Sequence, residues 1–301
     1  MLQLFCRSFS TNAVSSQIRR VRSVITDISG TIGDPLVKAP AVVFVDVFKK
    51  FGVPISMEEA RKPMGNEKSL HIRRITEDPA VRERWTKRYG REPTRDDVTE
   101  MFNHFVPMQL DALNTYGVPI RGAVYACQQL KAMDIYLGLT TGFNREMVDR
   151  FLLRNPELAQ LLDVTVAADE TVRPRPTQHM INRNVELIQA LDLEKPDLSN
   201  LDLVVKIDDT EMGILEAVNA GCWSIGLSRY SNLMGNFTND VDQFEKDDPQ
   251  KYNHCLIQIA NQLYHVGADY VVDDITKVPK IIENINRKLA IGLDPPRRSR
   301  K

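Results

Sequence analysis

The chain has 301 residues, 43% of them hydrophobic and 26% charged, enough to bury a good core in one large domain with a smaller one beside it. A formal net charge of −1 argues against a role in which bulk charge holds nucleic acid or a membrane surface. The four cysteines, Cys6, Cys127, Cys222 and Cys255, form no Cys-x-x-Cys pair, which speaks against a disulfide framework or a zinc site, and no apolar run is long enough to span a bilayer.

The first 26 residues hold Arg7, Arg19, Arg20, Arg22 and five serines, with no acid before Asp27. That composition is expected of an organellar transit peptide over residues 1–20, with the mitochondrial matrix as destination and the cytoplasm as the alternative. Cleavage would have to spare the strand predicted at Val21 to Thr26. Ala39-Pro40 then opens an apolar helix through Phe51, which Gly52 stops. Ser56-x-x-Glu59 is a capping box for a second helix, and Thr94-x-x-Asp97 resembles one for a helix running to about Leu113. Residues 38–117 therefore read as a helical cap domain inserted into a core made of 21–37 and 118–301.

From Val118 the rhythm changes. Short apolar strands are expected at Ile135 to Leu139, Val164 to Ala167, Leu203 to Ile207, Trp223 to Leu227 and Tyr270 to Val272, with helices between them. The polar stretch from Arg229 to about Pro249 reads as an exposed excursion. Alternating strands and helices predict an α/β fold, a doubly wound parallel sheet covered on both faces.

The chemistry is expected at strand ends. Asp27-Ile28-Ser29-Gly30-Thr31 follows the apolar Val24-Ile25, so a carboxylate and several backbone amides surround one point, as suits a phosphoryl group held by a divalent metal. Thr141-Gly142 and Asp209 fall at the carboxyl ends of two other predicted strands, the edge where open parallel sheets bind ligands. In the loop Val172-Arg173-Pro174-Arg175-Pro176, Arg173 is assigned to the phosphoryl oxygens, with Arg175 the alternative two residues on. Singly, each element has an ordinary reading as a turn, a strand end, a helix N-terminus or a solvated arginine; their order and placement carry the inference. Ser29 stands where a phosphate-ester hydrolase would need a second aspartate as general acid, so an alkoxide leaving group is not indicated.

These four elements resemble the motifs of the haloacid dehalogenase superfamily. Pro63-Met64-Gly65-Asn66-Glu67-Lys68-Ser69-Leu70-His71, with Glu58 to Pro63 before it and Arg145-Glu146-Met147 after Thr141-Gly142, is similar to the cap motif of the phosphonoacetaldehyde hydrolase family within it. Met64, Lys68 and His71 are spaced to share one helix face. A lysine with a pKa near 10.4 is neutral in about one molecule in a few thousand at pH 7, so a catalytic amine here needs burial or a nearby cation. Met64 can give apolar cover, Arg173 and Mg2+ positive potential, and His71 a proton relay.

The resemblance implies hydrolysis of phosphonoacetaldehyde to acetaldehyde and phosphate, in 2-aminoethylphosphonate degradation. Lys68 would form an iminium with the aldehyde, Asp27 would attack phosphorus, and Asp27, Asp209 and the Ser29 carbonyl would bind Mg2+, with Thr141, Gly142 and Arg173 on the phosphoryl group. It also implies a homodimer and a cap that opens about Val37 and Tyr116. Gly213, Phe143 and Val37 stand where the family carries an acid, a tyrosine and a cysteine, and Asp208 where it has glycine; Asp208 is expected to compensate for Gly213. Two other readings stay open: a phosphatase or mutase acting on a small phosphate ester, and a catalytically silent protein that binds a phosphorylated ligand.

Overall fold

The protein is described by a computed structural model that covers residues 19–191, 198 and 201–296. Six strands, β1 (Ser23–Thr26), β2 (Tyr136–Thr140), β3 (Val164–Val166), β4 (Val204–Asp208), β5 (Trp223–Leu227) and β6 (Tyr270–Val272), form one sheet in the order β3-β2-β1-β4-β5-β6. All the pairings are parallel. β1, β4 and β5 are buried at every position, as expected when helices cover both faces. The strand borders differ from the sequence expectation by a residue or two, and β5 and β6 coincide with it.

The register is what positions the site. Thr26 lies beside Leu139 of β2 and beside Ile207 of β4, so Asp27, Thr141 and Asp209 all emerge within one residue of the same sheet edge. The chain winds outward through β2 and β3 on one side of β1 and through β4, β5 and β6 on the other. The crevice therefore opens at this switch in strand order.

Six helices fall between β1 and β2, and the first five make up the predicted cap: α1 (Lys38–Lys50), α2 (Met57–Arg61), α3 (Lys68–Glu77), α4 (Pro79–Tyr89) and α5 (Arg95–Tyr116). Both halves of the Ser56/Glu59 and Thr94/Asp97 capping boxes are formed. α5 continues past Leu113 to Tyr116, where the Gly117 amide closes it on the Leu113 carbonyl. The sheet is flanked by α6 (Ala123–Ala132), α7 (Arg145–Arg154), α8 (Pro156–Leu161), α9 (His179–Leu191), α10 (Glu211–Ala220), α11 (Val241–Asp247), α12 (Pro249–Val266) and α13 (Val278–Ala290). Between β1 and α1 the backbone is left-handed at three residues with side chains, Asp34 (φ 48°), Leu36 (65°) and Val37 (52°).

The stretch after Arg229 is largely exposed from Asn236 onward, as its polarity implied, but its first residues are not. Arg229, Tyr230, Ser231 and Asn232 are buried, and Arg229 donates to the Tyr252 hydroxyl at 2.5 Å, Asp242 at 2.6 Å and Glu245 at 2.7 Å. Polar groups that satisfy one another need no solvent. Residues 1–18, which carry most of the predicted transit peptide, lie outside the described residues. Arg19 pairs with Asp202 and Asp294, and Arg20 with Asp134, so these two charges are engaged by carboxylates of the fold. Among the described residues no helix is long and apolar enough to cross a membrane.

Candidate active site

Asp27 leaves β1 at the start of a tight turn in which the amides of Thr31, Ile32 and Gly33 all donate to the Ile28 carbonyl. The turn folds back so that the Thr31 hydroxyl donates to Asp209 Oδ1 at 3.2 Å, tying the first predicted motif to the last. A cavity of about 10 Å3 lies at this point, room for one water. Asp27, Ser29, Thr141, Gly142 and Arg175 line it from the sheet side, and Met64 and Lys68 from the helical segment inserted after β1.

Arg175, not Arg173, is the arginine of this site. Its guanidinium is 2% exposed, with Nη2 3.0 Å from Asp27 Oδ1 and 3.3 Å from Asp208 Oδ2. Nη2 also donates to the Thr140 carbonyl at 2.6 Å, and Nε to Glu216 Oε2 at 2.9 Å. Arg173 is exposed, and its carbonyl accepts from the Thr177 hydroxyl at 2.8 Å and the Thr171 hydroxyl at 3.4 Å. The turn between the two prolines sends the second arginine inward.

Lys68 is 4% exposed although it is a lysine, and it sits at the first position of α3. Burial lowers its pKa to about 8; the charge of Asp27 opposes the shift and Arg175 adds to it. The positive end of the helix dipole works in the same direction. The Phe143 ring covers it, with Nζ 5.0 Å from the centroid. Met64 does not share the α3 face as its spacing predicted, because the chain turns at Gly65 (φ 92°) and α3 starts only at Lys68. It still reaches the cavity wall. His71 is fully buried, stacked on Phe44 with centroids 3.8 Å apart, and its Nε2 is 2.8 Å from the Ala60 carbonyl. A carbonyl can only accept, so Nε2 carries the proton and Nδ1, which has no hydrogen-bond partner among the described residues, keeps a free lone pair. Burial holds the His71 pKa well below the ordinary value, with Lys68 adding to the effect.

Asp27, Asp208 and Asp209 can bring one carboxylate oxygen each within 4.8 Å of one another, all three side chains being buried. Burial, then the charges of Asp208 and Asp27, push the Asp209 carboxyl well above the usual carboxylate range. For Asp208 burial acts in the same direction, but Arg175 and Lys206 outweigh it and the pKa falls. Asp27 Oδ1 and Asp208 Oδ2 are buried and, among the described residues, are engaged only by the charges of Arg175 and Lys206. Crowded, desolvated oxygens of this kind suit a hard divalent cation, so the residues present fit the expected metal.

Asp208 and Gly213 are a single exchange. A Cβ placed on Gly213 would fall 1.9 Å from the Asp208 carboxyl carbon, so the Asp208 side chain fills the space that a side chain at 213 would need. Lys206 and Glu216 extend the network, with Lys206 Nζ 3.1 Å from Asp208 Oδ2 and both side chains wholly buried. Sequence reasoning missed these two. The signal was present, since Lys206 interrupts the otherwise apolar Val204-Val205-Lys206-Ile207 of a strand buried on both faces.

Comparison with known proteins agrees with this geometry. The family model for Haloacid dehalogenase-like hydrolase matches residues 24–227. Phosphonoacetaldehyde hydrolase of Bordetella pertussis is 34% identical over 276 residues, covering 92% of this chain and 96% of that protein. The bifunctional phosphonoacetaldehyde hydrolase/aminoethylphosphonate transaminase of Clostridioides difficile is 29% identical over 269 residues, covering 89% of this chain and 41% of that protein. The crystal structure of a phosphonoacetaldehyde hydrolase-like protein from Oleispira antarctica superposes with a TM-score of 0.82 at 31% identity, covering 92% of this chain and 97% of that one. These relatives are bacterial and lend no support to the mitochondrial expectation.

Proposed function

The chain belongs to the haloacid dehalogenase-like hydrolases and, within them, to the phosphonoacetaldehyde hydrolases, and from that premise we propose that it cleaves the carbon–phosphorus bond of phosphonoacetaldehyde through a Lys68 Schiff base and an Asp27 phosphoryl ester. The observation that carries the reading is a buried lysine that lines the same cavity as the Asp27 carboxylate. With a pKa of about 8, roughly a tenth of the Lys68 amine is neutral at pH 7, some two orders of magnitude more than for a free lysine.

The neutral Lys68 amine adds to the aldehyde and loses water, and His71 Nδ1 serves as the relay that takes up and returns the proton. The iminium gives the departing carbon somewhere to place its electrons. Asp27 then attacks phosphorus in line, the carbon–phosphorus pair moves into the iminium, and an enamine and an aspartyl phosphate result. Protonation at carbon and hydrolysis free acetaldehyde and Lys68; water cleaves the aspartyl phosphate to give phosphate and Asp27. No leaving oxygen needs a proton in the first transfer, which agrees with a serine at position 29. Mg2+ would be held by Asp27, Asp209 and the Ser29 carbonyl with Asp208 beside them, and would supply neutralising charge for the phosphonate oxygens.

The test is borohydride reduction in the presence of phosphonoacetaldehyde, followed by mass mapping. A two-carbon adduct on Lys68 is expected; an adduct on the exposed Lys62, or none, overturns the reading. Arg175→Lys should lower phosphate release by roughly 10²- to 10³-fold, as for removal of one preorganised donor to transition-state charge, while Arg173→Ala leaves it unchanged. The reverse pattern would return the phosphoryl group to Arg173. A cavity of about 10 Å3 cannot admit the substrate, so we infer that the cap, 38–117, swings from the core once per turnover. The name of the Clostridioides difficile relative supports a place after transamination of 2-aminoethylphosphonate.

A further inference from the structure

Arg61 ends α2 in the cap, yet its guanidinium is 2% exposed and seated in the core. Nη1 donates to the Leu36 carbonyl at 2.6 Å, to Asn232 Oδ1 at 3.1 Å and to the Asn232 carbonyl at 3.3 Å. Asn232 Nδ2 returns a bond to the Arg61 carbonyl at 3.1 Å. The Asn232 amide in turn donates to Asp209 Oδ2 at 2.7 Å. Among the described residues no carboxylate lies within ion-pair distance of Arg61, so a desolvated cation is held by neutral acceptors, one of them on the core loop after β5. That arrangement is stable only while cap and core are together, because burying a guanidinium without its acceptors is costly.

We propose that Arg61 and Asn232 form the latch of the cap, and that latching presents the Asn232 amide to Asp209, so that closure over Lys68 and placement of the metal-side carboxylate are one event. Arg61 and Asn232 are positioning residues; neither lines the cavity around Asp27. The proposal rests on the function given above only in taking Lys68 as the amine the closed cap conceals. Gly235 offers an independent handle. A Cβ there would come within 2.5 Å of the Arg61 guanidinium, so Gly235→Ala unseats the arginine without altering either partner.

The experiment uses metal-free, full-length protein and needs no substrate. Lysines are labelled with trinitrobenzenesulfonate and mapped by mass in the parent, Arg61→Met and Gly235→Ala. Lys68 should react at least about tenfold faster in both variants, because a hydrogen bond to a charged group shifts an equilibrium by about that factor or more. Lys206, wholly buried under the sheet edge, is the internal control and should stay unlabelled. Equal Lys68 rates in parent and variants would overturn the latch. Lys206 reacting in step with Lys68 would overturn it too, since the pair would then hold the fold and not the cap. Mg2+ affinity by calorimetry should weaken in both variants, and an unchanged affinity beside faster Lys68 labelling would overturn the coupling to Asp209. Failure to trap substrate on Lys68 in the parent counts against the function alone, and this comparison stands apart from it.

Discussion

Lys68→Met is expected to reduce phosphate release from phosphonoacetaldehyde by on the order of 10⁴-fold or more, the scale on which removal of a covalent catalyst acts. Methionine keeps the length and apolar volume of the side chain, so the packing around Phe143 and Met64 survives while the electron sink is lost. The parent should show a rising limb in rate with an inflection near pH 8, where burial has placed the amine. Stability gives the same sign from another side. Between about pH 8 and the free-lysine value near 10.4 the unfolded chain binds the proton that the folded site has released, so stability of the parent climbs with pH across that window. Denaturant midpoints measured from pH 7 to 10 should show that climb in the parent and not in Lys68→Met. A variant that releases phosphate at the parental rate would end the amine mechanism.

Asp27→Asn separates the two halves of the reaction. The amide preserves the shape beside Arg175 but cannot attack phosphorus, so phosphate release should fall by a comparable factor, on the order of 10⁴-fold or more. Schiff-base formation does not need the carboxylate. Borohydride should still trap Lys68 in this variant, as the two-carbon adduct with its phosphonate attached, because the carbon–phosphorus bond has not been cleaved. Its yield at pH 7 should rise, because Asp27 is the largest charge holding the Lys68 pKa up. Phosphate release without Asp27, or a loss of trapping together with it, would contradict the division of labour between cap amine and core carboxylate.

Much of this was legible in the sequence because parallel strands declare themselves as short apolar runs that end in polar turns. Asp27, Thr141 and Asp209 each follow such a run, and the register of β1 with β2 and β4 brings all three to one edge. The capping boxes fixed the starts of α2 and α5 for the same local reason. What was illegible depends on where the chain turns in space. Arg173 and Arg175 have the same flanking chemistry, and only the direction of the loop distinguishes the exposed one from the buried one. Met64 has helical spacing to Lys68, but the left-handed Gly65 lies between them. Asn232 sits in a stretch whose polarity implied exposure, and its burial follows from partners far away in the chain. That Asp208 compensates for Gly213 was legible as an expectation, but not its steric form, in which the Asp208 carboxyl fills the volume a side chain at 213 would need.

The left-handed run between β1 and the cap has a mechanical meaning. Non-glycine residues in that conformation cost about 1–3 kcal/mol each, and Val37, branched at Cβ, is among the least suited to it. They are kept there by the Leu36 amide on the Tyr230 carbonyl at 2.7 Å, the Val37 amide on the Asp34 carbonyl at 2.9 Å, and Arg61 on the Leu36 carbonyl. The joint is thus a wound spring and not a slack tether. Unseating Arg61 removes one of the three hydrogen bonds that hold these residues in that conformation.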